Sequence, residues 1–370
     1  MWVQVMETDR APGAATAADS GATATSRARG RNHRSRRRRL LGLVGLVAAI
    51  VVASALSLAV GARGLSPSEV LDGLLTAPGS DPRLTEVSLI VQTVRVPRTL
   101  LAIVAGIALG VAGALVQGHT RNPIADTGLL GINTGASFAV VLAIFLLGWQ
   151  SPAQYIWFAL LGAALAATVV FGVASIGRGA GNPLTLVLAR QGVAVFLFAM
   201  TTAVALADRA SLNALRQWNA GTVAGADLGV IGLTTAFVVV GLVLAAVNVP
   251  TINMLDLGDD VARALGVNVA LGRTVGIVAI TVLAGAATAA CGPIAFLGLM
   301  VAHVARFITG PDHRWLVPCA GLLGAAVTLV CDVIGRVVAP PGELQVGIVI
   351  ALVGAPFFAA LVWLGRFRRT

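Results

Sequence analysis

Of 370 residues, 57% are hydrophobic and only 11% charged, a composition too apolar for a soluble domain of this size. The formal net charge is +10, and all 26 basic residues are Arg. Without Lys there is no nucleotide-binding lysine of a Walker A loop, so ATP-driven work falls to a partner, and the long apolar runs predict an all-α polytopic membrane protein.

Residues 1–39 carry nine Arg against Glu7, Asp9 and Asp19, among Ala, Thr, Ser and Gly, which predicts a disordered tail without a core. Its basic end, RARGRNHRSRRRR, adjoins the first apolar run and reads as a signal that keeps the N-terminus cytoplasmic rather than as a nucleic-acid patch. The run Leu40–Val60 is too long for a signal-peptide core and lacks a clear cleavage site, so it reads as a span.

Segments of about twenty residues predict membrane helices at 40–60, 97–117, 131–148, 154–176, 183–207, 229–249, 270–290, 293–309, 314–332 and 344–365. These ten spans form one permease domain over 40–370. An even count returns the C-terminus to the cytoplasm, in agreement with Arg366, Arg368 and Arg369, and Arg121, Arg178, Arg306 and Arg314 also fall inside. The segment 61–98 then lies outside with Arg63, Arg83, Arg95 and Arg98, balanced by Glu69, Asp72, Asp81 and Glu86. Within it, Ser66-Pro67-Ser68-Glu69 predicts the start of a capped helix.

In the second span Ala102, Gly106, Gly110 and Ala114 recur every fourth residue, which predicts a central helix that neighbouring backbones approach closely. Cys291, Cys319 and Cys331 read as small packing residues, and neither they nor His33, His119, His303 and His313 have a metal-ligand spacing.

Between the sixth and seventh spans lies a charged island, NMLDLGDDVARALGVNVALGR, from Asn253 to Arg273. Gly258 or Asp259 caps a short helix there, Asp259 and Asp260 suit the positive end of its macrodipole, and Gly266 ends it. Val261, Ala264 and Leu265 share an apolar face, while Asp259 pairs with Arg263 at i, i+4 on the other. Two turns of helix are marginal in water, so this one needs a surface to pack against, and a partner protein accounts for it better than a plain connector.

Four stretches carry a family resemblance. They are RVPRTLLAIVAGIALGVAGALVQ leading into RNPIADTGLLGINTGA, then LGDDVARALGVNV, GPIAFLGLMVAHVARFITGPDHRWLVP and GELQVGIVIALVGAPFF. In this order and spacing they resemble the FecCD-type permeases, membrane subunits of bacterial ABC importers for iron-siderophore complexes, haem and vitamin B12. The resemblance covers essentially residues 40–370 and implies a ten-helix permease in the bacterial cell membrane. It implies two ABC ATPase subunits on the cytoplasmic side, a second permease subunit and an extracytoplasmic substrate-binding protein. Thr127, Ala302 and Gln345 stand where the family usually has Pro, which leaves open whether the second permease is the same chain or a different one.

By the same resemblance, the loop at about 255–269 forms coupling helices seated in an ATPase groove. Leu255, Leu257, Gly258, Asp259, Val261, Ala262, Leu265 and Gly266 are then the ATPase-coupling residues. Arg95, Arg98 and Arg336 match arginines that meet carboxylates of the binding protein, the alternative being arginines that snorkel at the outer interface. The fifth span matches a helix lining the central pathway and carries Arg190 and Gln191. A charged residue inside a span costs roughly 3 kcal/mol or more unless it faces protein or water, so the pair either contacts substrate or the second permease, or Arg190 snorkels inward. Asp332 and Arg336, one turn apart, are expected to pair locally.

The expected cargo is a ferric siderophore, the family's commonest, with vitamin B12 or haem as alternatives. No catalytic constellation or cofactor motif is present, so the chain is not expected to be an enzyme. An ion-coupled secondary transporter, the main rival, needs carboxylates near mid-membrane, and Asp332 is the one candidate.

Overall fold

The computed structural model describes residues 14–61, 63–76, 82–149, 151–175, 183–225, 227–339 and 342–363. The tail up to residue 13, Asp81, Arg178 and the C-terminal Arg366, Arg368 and Arg369 lie outside them. Two compact units are distinguished, Met1–Gly45 and Leu46–Thr370. The first contributes the early part of α1 (Ala14–Ala59), a helix that starts within the Arg-rich tail and becomes apolar enough to span a membrane over Arg37–Ala59.

The second unit continues with α2 (Pro67–Leu75), α3 (Pro82–Leu89), α4 (Val96–Thr120), α5 (Ile132–Leu147), α6 (Pro152–Ser175) and α7 (Pro183–Ala207). After these come α8 (Arg209–Asn219), α9 (Leu228–Leu255), α10 (Asp259–Ala264), α11 (Val269–Cys291), α12 (Leu297–Thr309), α13 (His313–Val338) and α14 (Val346–Trp363). Among the described residues, eight helices are long and apolar enough to cross a membrane, and α5 and α12 are shorter apolar helices. Every one of the ten expected spans is therefore occupied by a helix.

Two spans are longer than their apolar runs. A π-helical segment, Ile90–Arg95, joins α3 to α4 and makes one run of 35 residues from Glu86 to Thr120. In the same way α9 passes through Pro250 to Leu255 instead of ending near 249. Between spans, α2 starts as expected: Ser66 and Glu69 form a reciprocal capping box, which satisfies two orphan backbone donors. The amphipathic α8, which the apolar pattern did not reveal, opens on Asp208, whose carboxylate accepts from the Ser211 N–H. Asp227, Asn268 and Asp312 open α9, α11 and α13 in the same manner.

The core is organised around α4, which packs against α9, α11, α12 and α13. Its small-residue stripe does what its spacing predicts. A Cβ at Gly106 would lie 2.5 Å from the Gly324 carbonyl oxygen and one at Gly110 would lie 2.2 Å from that of Ala320, so α4 and α13 meet backbone to backbone. Gly113 makes the equivalent approach to Gly298 on α12. By contrast α7 leaves Leu188, Val195, Phe196, Phe198 and Leu206 exposed, an apolar face for lipid or a partner.

Candidate functional site

The short helix α10 is built as its sequence dictates, and its end is fully specified. Gly258 holds φ +111° before it and Gly266 φ +82° after it, conformations open to glycine. The Gly266 N–H donates to the Arg263 carbonyl at 2.9 Å and the Val267 N–H to the Ala262 carbonyl at 3.0 Å. Those two bonds make a Schellman stop, and Val267 completes it by packing with Leu255, Ala262 and Val269.

The apolar residues of this helix, expected to need a partner's surface, do not pack into the chain: Val261, Ala264 and Leu265 are exposed, and so is Leu257 just before the helix, with Leu257, Val261 and Leu265 60%, 46% and 59% exposed. The buried anchor is Ala262, fully enclosed between Leu255 and Val269. One expectation is corrected, because Asp259 does not pair with Arg263. Its Oδ1 pairs with Arg121 at the end of α4 and its Oδ2 lies 2.8 Å from Arg273 Nη2 on α11, while Arg263 takes Asp260 at 2.9 Å. Two cations from neighbouring helices outbid one on the same short helix.

A second tie lies just upstream. Asn253 Oδ1 accepts from the His313 N–H at 3.0 Å, Asn253 Nδ2 donates to Asp312 Oδ1 at 3.0 Å, and His313 Nδ1 lies 3.3 Å from Asp256 Oδ2. The end of α9 is thereby bound to the start of α13. Nearby, His119 Nε2 meets Asn248 Oδ1 at 2.8 Å, and Asn248 Nδ2 donates to the Gly272 carbonyl at 2.7 Å. His303 stacks edge-on against Phe307 and Phe357.

At the opposite ends of α4 and α13 the arginines expected on the rim are inside the protein. Arg95, Arg98 and Arg336 are only 4%, 7% and 6% exposed. Arg98 grips Asp332 through Nε and Nη2 and reaches Glu343 with Nη1 at 2.6 Å. Arg336 pairs with Asp332 one turn earlier, as expected, and also donates to the Ser57 and Val60 carbonyls at 2.7 and 3.0 Å. Arg95 donates to the Leu58 and Arg63 carbonyls. Arg95 and Arg336 therefore satisfy carbonyls at the C-terminal end of α1, where the macrodipole favours cations. Buried this far, the three guanidiniums do not reach water, and internal acceptors have taken all three. The charged groups left exposed on that side include the Arg63–Glu86 pair at 3.0 Å.

Arg190 is half-buried and Gln191 exposed. Arg190 Nε donates at 2.9 Å to the carbonyl of Gly128, in the 3-10 turn Thr127–Leu130 that leads into α5. It thus braces a loop beside Asp126, whose carboxyl burial pushes above the ordinary range, against hydrogen bonds from the Thr127 and Gly128 N–H groups and the Arg190 charge that pull it down. The three cysteines are free and buried. Arg121 and Arg273 are the functional candidates that sequence reasoning missed. Their signal was only that each is an arginine at the end of a span, and the sequence places just Arg273 near the acidic helix.

A sequence model of the FecCD transport family matches residues 40–364. The chain is 42% identical over 325 residues to the ferric enterobactin transport system permease protein FepD of Escherichia coli, covering 88% of this chain and 95% of that one. It is 34% identical to the probable siderophore transport system permease protein YfiZ of Bacillus subtilis, over 85% and 93% of the two chains. In structure it resembles a putative metal-chelate type ABC transporter in an inward-facing conformation, with a TM-score of 0.74, 27% identity and coverage of 87% of this chain and 98% of that one. The chain is a multi-pass membrane protein and belongs to the FecCD transport family.

Proposed function

We propose that the chain is the membrane-spanning subunit of an ATP-driven importer of a ferric siderophore in the bacterial cell membrane. It works beside a second permease subunit, with two ABC ATPase subunits on the cytoplasmic side and an extracytoplasmic binding protein that delivers the chelate. Both termini are cytoplasmic on this reading, which rests on the Arg-rich start of α1. The observation that carries the proposal is α10. Its backbone is fixed at both ends by glycines and by Asp259, yet Val261 on the helix and Leu257 and Leu265 at its two ends stand in solvent, an exposed apolar surface that fits a partner's groove. The similarity to a ferric enterobactin permease and to a probable siderophore permease supports the substrate class.

The ion-coupled rival loses its candidate residue, because Asp332 is enclosed between Arg98 and Arg336 and has no free oxygen for a coupling ion. Docking of the binding protein, on this proposal, uses the outer surface around α2 and the Arg63–Glu86 pair. Arg95, Arg98 and Arg336 support that surface from beneath, and direct contact with the binding protein's carboxylates would require them to exchange internal partners.

The test is reconstitution of the chain with its ATPase, second permease and binding protein in liposomes. ATP-dependent accumulation of a ferric siderophore is expected. Uptake driven by an ion gradient in the absence of ATP would overturn the reading.

A further inference from the structure

We infer that Arg121 is a positioning residue that gears α10 to the central helix α4, so that a movement of α10 is delivered to α4 directly and not only along the chain into α9 and α11. The inference rests on the reading of α10 as the ATPase contact and adds the route by which that contact is felt.

Three independent observations meet at this residue. The first is the ion pair. One carboxylate, Asp259 at the first position of α10, holds a cation from each of two spans, Arg121 after α4 and Arg273 on α11. Asp259 is 23% exposed at its side chain, and Arg121 and Arg273 are 40% and 38% exposed, so the clamp is partly shielded from solvent, where charge pairs keep more of their strength. Asp260, the neighbouring acid, is fully open at 99% and bonds only within its own helix.

The second is backbone conformation. Arg121 terminates α4 in the left-handed region, with φ +48° and ψ +33°. Among the described residues only Arg121 and Phe296 hold a positive φ without being glycine. Glycine is the ordinary solution at such a stop because it carries no Cβ penalty, but it has no side chain with which to reach another helix. A strained residue with a long cationic side chain at this spot points to a use for the side chain.

The third is what lies behind it. α4 is the helix whose glycines bring α13 and α12 into backbone contact, at Gly106, Gly110 and Gly113. Such contacts leave no slack, so a displacement applied at Arg121 moves α4 with its neighbours as a body. The clamp therefore connects the exposed apolar residues of α10 to the closely packed centre of the bundle through the Arg121 guanidinium.

The experiment uses the complete transporter in liposomes and reads ATP hydrolysed per chelate imported, together with retention of the ATPase on purification. Arg121→Gln removes the charge, Arg121→Lys keeps it, and Arg121→Gly removes the side chain while relieving the backbone. Gln and Gly variants that retain the ATPase but hydrolyse about tenfold more ATP per chelate, with Lys close to wild type, are the expected result. The Gly variant also guards against misfolding, since its thermal stability should equal or exceed that of the wild type. Wild-type stoichiometry in the Gly variant overturns the inference, and so does loss of the ATPase from the Gln and Gly variants, which would make Arg121 a support for binding. If the wild-type chain itself retains no ATPase, the reading of α10 fails, and that outcome is visible before any variant is made.

Discussion

Arg98 and Asp332 are 234 positions apart in the chain and meet side-on within it, Nε and Nη2 of the guanidinium lying 3.0 and 2.8 Å from the same carboxylate oxygen. Arg336 approaches the other oxygen from one turn further along α13. Asp332 is thus the shared counter-ion of two buried cations, and its loss leaves Arg98 with Glu343 and Arg336 with neutral acceptors only at Ser57 and Val60.

Asp332→Asn is therefore expected to destabilise the protein severely, by about 3–5 kcal/mol, the usual penalty for removing one member of a buried ion pair. Thermal unfolding of the purified protein in detergent checks this. A melting temperature equal to that of the wild type would show that the two arginines find other acceptors.

Gly110→Ala is expected to force α4 and α13 apart, because the added carbon would sit 2.2 Å from the Ala320 carbonyl oxygen, a backbone atom that cannot step aside. A loss of about 1–3 kcal/mol or more follows from overpacking. Gly172→Ala, inside α6 and meeting nothing within 4 Å, serves as the comparison and should leave stability unchanged or raise it by up to about 1 kcal/mol. Equal yields and melting temperatures for both variants would contradict the backbone contact.

For α10, Leu257→Asp and Leu265→Asp should abolish retention of the ATPase while leaving the melting temperature unchanged, since both side chains are more than half exposed. Ala262→Asp should do the opposite and damage folding first, because a carboxylate has no partner in the enclosed position between Leu255 and Val269. Normal ATPase retention in the two leucine variants would remove the case for these exposed leucines as the contact.

Gly266→Val tests the helix stop alone. Nothing lies within 4 Å of a side chain added there, so the whole effect is the backbone penalty of φ +82°, about 1–2 kcal/mol and more for a β-branched residue. Reduced ATP-driven uptake with normal membrane insertion is expected. Unchanged uptake would show that the Schellman turn tolerates a remodelled end.

Sequence reading went furthest where one physical signal acted over a short range. Apolar runs located ten apolar helices, eight of them long enough to cross a membrane, the every-fourth-residue stripe located the helix that packs closest, and two glycines bounded α10. It went wrong where partners come from afar. Asp259 has an arginine at i+4 that satisfies any local rule, and only the fold shows that Arg121 and Arg273 stand nearer. Arg95, Arg98 and Arg336 read as surplus outer charge because the acceptors that absorb them, Asp332 and the carbonyls ending α1, come from two other helices. The amphipathic α8 escaped notice because its signal is a polar cap and one buried face rather than an apolar run.

The arginine caps on the end of α1 also constrain the order of biogenesis. A ribosome delivers α1 first, but the carbonyl of Ser57 is met by Arg336, 279 positions later, and the Ser57 hydroxyl by Thr99 on α4. Until α13 has been synthesised, the first span stands in the membrane with its far end partly capped, by Arg95, Thr99 and the Leu65 N–H but not yet by Arg336. A chain truncated before Arg336 should therefore insert its leading helices yet leave the first one open to proteolysis at residues 57–63, a test of assembly order that needs no substrate at all.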